Sequence, residues 1–492
     1  MAELTRLTKE NMEQLSSSKV CLSCCAQNYL LEMKDELGEE FVEGCERYAK
    51  VEDISAFEPD TKYVIADDYY REIYDKLAGK ITSNATVYFY ANKETSYDLS
   101  YREKYKDEPL RDIIIFRSGP HASAYIKGTD FSDNARAVFE YMLSEGFNKK
   151  YELVWLVKNP EDYVSVVNAN ENVRFISFDW SVAEDTKKRD EYYEALCLAK
   201  YLFFTDAYGF CRNARADQIR VQLWHGCGFK TRVNFVRCEH RYEYMPVISP
   251  MYKEIHKKIY GLRDDQVLVT GYPKEDAIFH PRAGWRKVLG IKEASKYIFW
   301  LPTFRKTDIA NLAEVDMYEL VGETGLPVVK TQEYLKRLDE YLQTHDMVLI
   351  LKLHPFQDMS LIKISDCSNI VFLDNKKLIE NDIQINELLD YADALISDYS
   401  SVAIDYLVLD RPVAFTIEDI EEYENARGFV FEPIRDWLPG MEIMIFDDFL
   451  NYVVEISNGI DSTKAKRQRI RGELHSFCDD RSCERLIDEL HI

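Results

Sequence analysis

The sequence predicts an α/β protein with parallel sheets, organised as two doubly wound domains in tandem behind a smaller N-terminal α/β module. Three observations predict this class. Short apolar runs alternate with helix-like segments along the 492 residues, a pattern typical of βαβ units. Polar residues follow many of these runs directly, where parallel sheets bind ligands. The length accommodates about three domains of ordinary size.

Composition and charge exclude several classes of protein. Hydrophobic residues make up 46% of the chain and charged residues 30%, a balance that disorder and coiled coils do not show. A net charge of −24 repels nucleic acid polymers. No stretch approaches the roughly 20 apolar residues that span a bilayer, and the N-terminal segment lacks a signal-peptide core. We therefore expect a cytoplasmic protein.

The 11 cysteines are scattered and odd in number, which favours reduced thiols over a disulfide framework. Cys21, Cys24 and Cys25 form a cluster that suits zinc or redox chemistry in some proteins. No second pair of cysteine or histidine residues completes a site here. We interpret the cluster as part of a buried strand, and we expect neither a metal nor a cofactor.

The N-terminal module, residues 1–110, combines short β-type runs with a helix-like segment. Strands are predicted at 20–25, 63–66 and 86–90, and a helix at 68–77. The module ends in the polar stretch TSYDLSYREKYKDEP, which we predict to be a linker. Its role is either docking of a pathway partner or none.

Two larger α/β units follow, at 111–243 and 244–492. In the first, strands are predicted from 112 and at 153–157, 174–177, 201–205 and 219–223, with a helix at 134–143. In the second, strands are predicted at 245–249, 266–269, 297–301, 347–353, 370–373, 394–397 and 412–416, and helices at 333–342 and 387–391. Alternation of this kind predicts two doubly wound domains that face each other across a cleft.

The first strand end that carries polar residues is WHGCGFK. His225 stands directly after a strand, where an imidazole can act as a general base. Gly226 allows a backbone or a phosphate to approach closely, and Lys230 supplies a cation. The alternative interpretation is a histidine that packs at a strand end beside a solvated lysine.

The second strand end, VTGYPKED, is a weaker signal. Gly271 and Pro273 shape a tight turn. Lys274 and Asp276 follow at once, and we expect them to hold or orient an anion.

Two further strand ends carry cations and a histidine. Thr303 and Arg305 follow one strand, and the planar fork of arginine suits phosphate. Lys352 and His354 follow another, and their spacing of two places both side chains on one face of an extended chain. A cation beside an imidazole suits a developing phosphate charge. An ion pair for Arg305 and a backbone hydrogen bond for His354 are the alternatives.

The fifth strand end is the most informative. Asp398, Tyr399, Ser400 and Ser401 precede a helix that contains Asp405. Small hydroxyl residues and free amides at a helix N-terminus form a site for a pyrophosphate. Simple helix capping by Asp398 is the alternative.

These segments together resemble the CDP-glycerol:poly(glycerophosphate) glycerophosphotransferase family, whose enzymes make teichoic acids and related capsule polymers. The family's motifs resemble, in the same order, residues 224–230, 271–276, 302–305, 352–355, 398–401, 405–406, 411–412 and 427–429. The resemblance covers residue 111 onwards and leaves residues 1–110 outside. Cys227, Gly228 and Phe229 replace Thr, Pro and Leu of the family motif, and Lys274 with Glu275 replaces Arg-Asn, which leaves the polyol open.

The resemblance implies a GT-B-type fold, with an acceptor-side Rossmann-like domain at 111–243 and a CDP-donor domain at 244–492. It implies transfer of a polyol phosphate from a CDP-polyol to a polymer hydroxyl, with release of CMP and without an obligatory metal. We expect His225 and His354 to be catalytic. We expect the donor to be bound by Gly226, Lys230, Gly271, Pro273, Thr303, Arg305, Lys352, Asp398, Tyr399, Ser400, Ser401 and Asp405.

Two other functions stay open at the level of sequence: a GT-B glycosyltransferase that uses a nucleotide sugar, and a non-catalytic docking protein of a cell-envelope pathway. A lipid-linked polyol-phosphate or saccharide acceptor implies peripheral contact with the inner face of the membrane. The basic run at 464–471 is a candidate for that contact. Its alternative is a solvated helix paired with neighbouring acids.

Overall fold

The computed structural model describes residues 4–12, 15, 20–24, 27–48, 62–67, 70–71, 73–74, 86–119, 128–205, 209–231, 242–303, 322–354, 357–364 and 367–492. The chain divides into two units. One comprises Met1–Pro109, Phe178–Leu198 and Gly209–Arg215, and the other comprises Leu110–Ser177, Ala199–Tyr208 and Ala216–Ile492. Helices alternate with parallel strands in both, so the predicted α/β class is confirmed.

The first unit contains a five-stranded parallel sheet in the order β1-β5-β4-β2-β3. Its strands are β1 Leu4–Arg6, β2 Val20–Cys24, β3 Glu46–Tyr48, β4 Lys62–Ala66 and β5 Val87–Phe89. Its helices are Lys9–Met12, Gln27–Leu37, Glu39–Gly44, Lys93–Tyr105 and Thr186–Leu198, with 3₁₀ helices at Phe178–Val182 and Gly209–Cys211. Val64 and Ile65 belong to separate cores on the two faces of the sheet, as alternation along a strand requires.

Two sequence predictions for this unit concern segments that the structure describes only in part. Cys21 and Cys24 lie on β2, so the predicted strand is confirmed. Cys25 and most of the predicted helix at 68–77 lie outside the described residues.

The stretch TSYDLSYREKYKDEP is predicted to be a linker, but the structure shows that it is largely helical. Most of it belongs to the helix Lys93–Tyr105, so the predicted linker is wrong. Asn92 caps the first turn of this helix. Tyr101 is buried and stacks on Tyr193, with ring centroids 4.6 Å apart. The segment looks polar because its buried face carries tyrosine rings and the ion pair of Asp98 with Arg102 in place of aliphatic side chains.

The second unit begins with another five-stranded parallel sheet, in the order β10-β9-β6-β7-β8. Its strands are β6 Arg111–Arg117, β7 Glu152–Val157, β8 Val173–Ser177, β9 Ala199–Phe204 and β10 Ile219–Gln222. The helices between them are Asp133–Ser144 and Val164–Ala169, with 3₁₀ helices at Phe147–Lys149 and Pro160–Tyr163. Phe116 and Trp155 stack in the core of this sheet. The distant helix Ser482–Glu489 adds Leu486 to the same core.

A two-stranded and a six-stranded parallel sheet follow. The first pairs β11 Met245–Val247 with β12 Val267–Val269, and the second has the order β15-β14-β13-β16-β17-β18. Its strands are β13 Lys296–Trp300, β14 Met347–Leu351, β15 Ile370–Phe372, β16 Ala394–Ser397, β17 Val413–Thr416 and β18 Met441–Ile443. The α-helices are Pro250–Tyr260, Pro273–Asp276, Trp285–Leu289, Gln332–Thr344, Asn375–Glu380, Val402–Tyr406, Ile420–Arg427, Phe446–Ser457, Lys464–Leu474 and Ser482–Glu489. The 3₁₀ helices are Asp264–Gln266, Ala277–Phe279, Met359–Leu361, Ile385–Tyr391, Leu407–Leu409 and Ile434–Trp437.

The register of the six-stranded sheet brings three predicted strand ends together. Trp300 of β13 pairs with Leu351 of β14 on one side and with Ile396 of β16 on the other. The three strands therefore end at the same level, because parallel neighbours point the same way. Residues 301–303, 352–354 and 398–401 consequently lie along one edge of the sheet.

The basic run at 464–471 lies on the helix Lys464–Leu474. Arg467 is almost fully buried and pairs with Asp410 at 3.0 Å and with Asp461 at 2.8 Å. At this position the cation is part of the scaffold and does not face solvent. Within the described ranges of the chain, no helix has both the length and the apolar character needed to cross a membrane.

Candidate active site

The segment after β10 places His225 beside a carboxylate from another element. Its Nδ1 atom lies 2.6 Å from Oδ2 of Asp133, the first residue of the helix Asp133–Ser144. Burial alone favours the neutral acid, but the hydrogen bond with His225 and the positive charge of Lys274 outweigh it, so the pKa of Asp133 is lowered. An ionised carboxylate therefore faces the imidazole at neutral pH.

Asn134 is fully buried and joins two of the predicted segments. Its Nδ2 atom donates to the Trp224 carbonyl at 3.0 Å, and its Oδ1 atom accepts from the Lys274 amide at 3.0 Å. Sequence analysis missed both Asp133 and Asn134. The available signal was a run of polar residues before an amphipathic helix, which the sequence alone identifies only as a turn.

Gly226 lets the loop that carries His225 approach the fifth strand end. A Cβ atom at this position would lie 3.1 Å from Oγ of Ser401 and 3.3 Å from Nζ of Lys274. The φ of Gly226 is 135°, which side-chain-bearing residues rarely adopt. His225, Lys274 and Ser401, from three separate predicted segments, are thus brought together.

Lys274 connects these segments through a buried charge. Its Nζ atom lies 2.9 Å from Oδ2 of Asp405 and donates to the His225 carbonyl. Burial raises the pKa of Glu275 far above its usual range, and the neighbouring charge of Asp405 raises it further. The pKa of Lys274 is raised, because the attraction of Asp405 and Asp133 exceeds the effect of burial. We assign the charges to Lys274 and Asp405 and the proton to Glu275.

Three cations of the second unit, Lys230, Lys352 and Arg427, belong to segments that the sequence motifs include. Burial lowers the pKa of Lys352 to about 8. The pKa of Lys230 is lowered to about 8, because its ammonium group is desolvated although much of its side chain is exposed, and because the charge of Arg427 repels it. Burial also lowers the pKa of Arg427. Lys230 is exposed and Lys352 half-buried, so water screens the charge of Lys352 less. Among the described residues, none of the three forms a salt bridge. Arg305 lies outside these residues.

His354 is neutral at physiological pH. Burial and the positive charges of Lys352, Lys230 and His225 lower its pKa to about 3. A neutral imidazole still donates one N–H to a phosphate oxygen.

Asp398 ties two strand ends together. It is fully buried, and its Oδ2 atom accepts from the Thr303 amide at 2.8 Å and from the Thr303 hydroxyl at 3.0 Å. Ser400 and Ser401 follow at the start of the helix Val402–Tyr406. The carboxylate therefore shapes the edge of the sheet on which these hydroxyl groups lie.

Tyr399 lies in the interior. Its side chain is 1% exposed, its hydroxyl donates to Asp419 at 3.1 Å, and its ring lies 3.9 Å from that of Tyr423. Neighbouring rings enclose this side chain, so the predicted donor contact of Tyr399 falls to its backbone.

The segment from Gly271 to Asp276 docks the helix Ser482–Glu489. A Cβ atom on Gly271 would collide with Ser482, and Pro273 begins a short helix. Asp276 accepts hydrogen bonds from the amides of Ser482 at 2.9 Å and Cys483 at 2.8 Å. The predicted anion contact of Asp276 is wrong, because its carboxylate caps this helix.

Comparison with known proteins identifies the same family as the sequence motifs. The sequence model of the CDP-glycerol:poly(glycerophosphate) glycerophosphotransferase family matches residues 71–491. The match begins before residue 111, so the expectation that residues 1–110 lie outside the family is wrong for 71–110.

The curated relatives include enzymes named for teichoic acid synthesis. The chain is 27% identical to the teichoic acid ribitol-phosphate polymerase TarK of Staphylococcus aureus, over 64% of this chain and 61% of the relative. It is 25% identical to the teichoic acid poly(glycerol phosphate) polymerase of Staphylococcus epidermidis, over 79% of this chain and 51% of the relative. It is 28% identical to the teichoic acid glycerol-phosphate primase of Bacillus subtilis, over 55% of this chain and 70% of the relative. The chain spans about half to three fifths of the two polymerases.

Among solved structures, the wall teichoic acid polymerase TagF matches with a TM-score of 0.60 at 21% identity, covering 86% of this chain and 96% of that chain. At this identity the likeness shows a common fold. The family match, in contrast, covers most of the sequence and includes the loop of His225 and the cations near His354. The chain therefore belongs to the CDP-glycerol:poly(glycerophosphate) glycerophosphotransferase family.

Proposed function

We propose that this protein transfers glycerol phosphate, or a related polyol phosphate, from a CDP-activated donor to a hydroxyl of a teichoic-acid-like or capsular polymer. The observation that carries the proposal is the edge of the six-stranded sheet, where the strand register brings Lys352, His354 and Ser401 together and Gly226 brings the His225 loop against Ser401. A pyrophosphate is the kind of ligand that unpaired cations and a neutral imidazole bind. The names of the relatives support a polyol-phosphate polymer as the product, and the name of the family supports a CDP-activated donor.

In the proposed reaction the acceptor oxygen forms a bond to the β-phosphorus of the donor. The bond from that phosphorus to the bridging oxygen breaks, and CMP leaves with the bridging oxygen and its electron pair. His225 takes the hydroxyl proton at Nε2. Lys352, His354 and the hydroxyl groups at 400–401 stabilise the charge on the phosphates, and Arg305 is assigned to this task by resemblance. Phosphoryl transfer depends mainly on such positioning and charge stabilisation.

We assign the arrangement to the GT-B type, with domains at 111–243 and 244–492 and a small module at 1–110. The parallel sheets of the second unit and the likeness to TagF support this arrangement. Lys352 and His354 follow β14 of the six-stranded sheet, which supports donor binding by the C-terminal domain. The domain at 111–243 then faces the acceptor.

The acceptor in this proposal is linked to a lipid, and the protein works peripherally at the inner face of the membrane. Relatives named for glycerol phosphate and for ribitol phosphate, and for primases and polymerases, match at similar identity. The polyol and the number of units added are therefore questions for the assay. Residues 1–110 are assigned to contact with a pathway partner.

The test is nucleotide release by the purified protein. CDP-glycerol, CDP-ribitol and a panel of UDP-sugars are each offered with a glycerol-phosphate-terminated lipid acceptor. We expect CMP from one CDP-polyol. Release of UMP or UDP from a sugar donor would replace the proposal with the glycosyltransferase function. Absence of both turnover and CDP binding would replace it with the docking function.

A pair of histidine variants tests the assigned base. His225→Ala should lower turnover by about 10²- to 10⁴-fold, the usual contribution of a general base. His280→Ala is the matched control, because His280 is exposed and pairs with Asp480 at 3.1 Å. Equal turnover in the two variants would remove His225 from the mechanism.

A further inference from the structure

Asp133 and His225 come from distant parts of the sequence and meet through a short contact. The Oδ2 atom of Asp133 lies 2.6 Å from Nδ1 of His225. The other carboxylate oxygen accepts from the Asn134 amide at 2.9 Å. The carboxylate is thereby held between its own helix and the imidazole, with one oxygen directed at each.

The chemistry of this contact is that of an oriented base. An ionised carboxylate accepts only, so Nδ1 of His225 must carry the proton that they share. The Nε2 atom then keeps its lone pair and is able to take a proton. When Nε2 takes a proton, the carboxylate stabilises the imidazolium that forms.

The backbone on both sides of the contact is held in an uncommon conformation. Asp133 has a φ of 60° and Trp224, next to His225, has a φ of 54°. Positive φ is a genuine outlier for a bulky side chain such as that of Trp224. Asn134 binds the Trp224 carbonyl at 3.0 Å, which holds the two strained segments together. Strain of this kind persists where the surrounding structure imposes it, and it concentrates at functional sites.

We propose that Asp133 is the positioning residue of the transfer reaction: it fixes the Nδ1–H tautomer and the orientation of His225, so that Nε2 accepts the proton of the attacking hydroxyl. The proposal rests on the proposed function and adds a residue to it.

The other charged groups around His225 set the background against which Asp133 acts. Lys274 donates to the His225 carbonyl, and its charge is offset by Asp405 at 2.9 Å. Lys230, Lys352 and His354 lie on the donor side, and the charge of His225 contributes to the low pKa of His354. The charged side chain of Asp133 is in direct contact with the imidazole, at 2.6 Å.

The kinetic test compares Asp133→Asn with Asp480→Asn. Asp480 is the matched control, because it pairs with the exposed His280. We expect Asp133→Asn to lower kcat between about 10- and 10³-fold and to leave the Kd for CDP within about threefold. The acidic limb of the pH profile of kcat/KM should move to lower pH by about one unit, because an amide does not stabilise the imidazolium. Asp480→Asn should change neither quantity.

A double variant separates positioning from folding. In the His225→Ala background, Asp133→Asn should cost no further activity, because Asp133 acts through the imidazole. Several outcomes would overturn the proposal: kcat within threefold of wild type, an unmoved pH limb, an undiminished effect in the His225→Ala background, or a parallel fall of CDP affinity and thermal stability.

Nitrogen NMR of histidine-labelled protein tests the contact without any turnover. We expect the neutral His225 ring to carry its proton on Nδ1 in the wild type and to shift toward Nε2–H in Asp133→Ala, while the His345 signal, from an exposed histidine, stays unchanged. A wild-type ring already protonated on Nε2 would overturn the inference. If the wild type shows this tautomer and yet turns over no CDP-polyol, the proposed function fails and the positioning contact stands.

Discussion

Lys274 and Asp405 form a buried ion pair in which Nζ and Oδ2 are 2.9 Å apart, with side chains 14% and 1% exposed. The same ammonium donates to the His225 carbonyl. One cation therefore joins the helix Val402–Tyr406 to the loop of the candidate base. Because both charges are removed from water, loss of one leaves the other without compensation.

Asp405→Asn should lower the free energy of unfolding by about 3 kcal/mol, since it leaves Lys274 buried without its counter-charge. The measurement is the midpoint of urea and thermal unfolding. Asp264→Asn is the control, because its ion pairs with Lys253 and Lys257 are exposed and each contributes about 1 kcal/mol or less. Equal shifts in the two variants would contradict a buried, charged pair.

Gly226→Ala should reduce kcat/KM by about 10- to 10²-fold, because the new methyl group meets Ser401 and displaces the His225 loop. Gly290→Ala is the matched control. Gly290 also has a positive φ, of 71°, but a Cβ atom there has nothing within 4 Å. The control should cost about 1 kcal/mol of stability and no activity. Activity losses of similar size would show that backbone strain, and not the approach to Ser401, explains the glycine.

The affinity for CDP should fall as the pH rises above about 8. Lys352 has a pKa of about 8 in the free protein, and a bound phosphate raises it by favouring the charged form. The affinity that Lys352 contributes is complete below its pKa in the free protein. It is lost as the pH rises from that value through the pKa of Lys352 in the complex, by up to about tenfold per pH unit. Calorimetry between pH 6.5 and 9.5 measures the effect.

Lys352→Arg provides the control for this pH dependence. Arginine stays charged throughout the range, so the variant should lose the share of the slope that Lys352 contributes, while Lys230 retains its own. A slope unchanged by the substitution would show that Lys352 does not contact the phosphates.

Stability should fall as the pH decreases below about 6.5, in part because of His256. Burial lowers its pKa to about 3, so the folded state keeps it neutral while the unfolded chain takes up a proton. The stability that depends on neutral His256 is fully present above the pKa of histidine in the unfolded chain, about 6.5. It is lost as the pH falls toward the pKa of His256 in the folded state, at up to about 1.4 kcal/mol per pH unit. His256→Phe should flatten the thermal-stability profile between pH 3 and 6.5, and His345→Phe, at an exposed position, should not. An unchanged slope in His256→Phe would contradict the assignment.

The sequence predicted well which residues lie together at the edge of the six-stranded sheet, and the reason is physical. Parallel strands all end at one edge, so polar residues that directly follow apolar runs are placed together by the sheet itself. Thr303, Lys352 and Asp398 are examples, from three neighbouring strands. The predicted strand at 394–397 agrees with β16 residue by residue.

The contacts between elements could not be predicted in the same way. Asp133 lies 92 positions before His225, and no local pattern shows which helix start faces which strand end. The helix Lys93–Tyr105 was missed because its buried face combines tyrosine rings with polar and charged side chains and has no aliphatic stripe. Arg427 stands at the end of a helix, and no local pattern relates it to Lys230, on which its charge acts.

The docking of the helix Ser482–Glu489 has a consequence for how the protein is made. Leu486 fills the core of the sheet β6–β10, and Asp276, which caps this helix, precedes Ser482 by 206 positions. At about 5–20 residues per second, a ribosome needs on the order of 10–40 s to cover that interval. During this time the core of this sheet lacks the side chains of Cys483, Leu486, Ile487 and Leu490. The interval before residue 482 is made is thus the period in which this sheet most needs protection from aggregation.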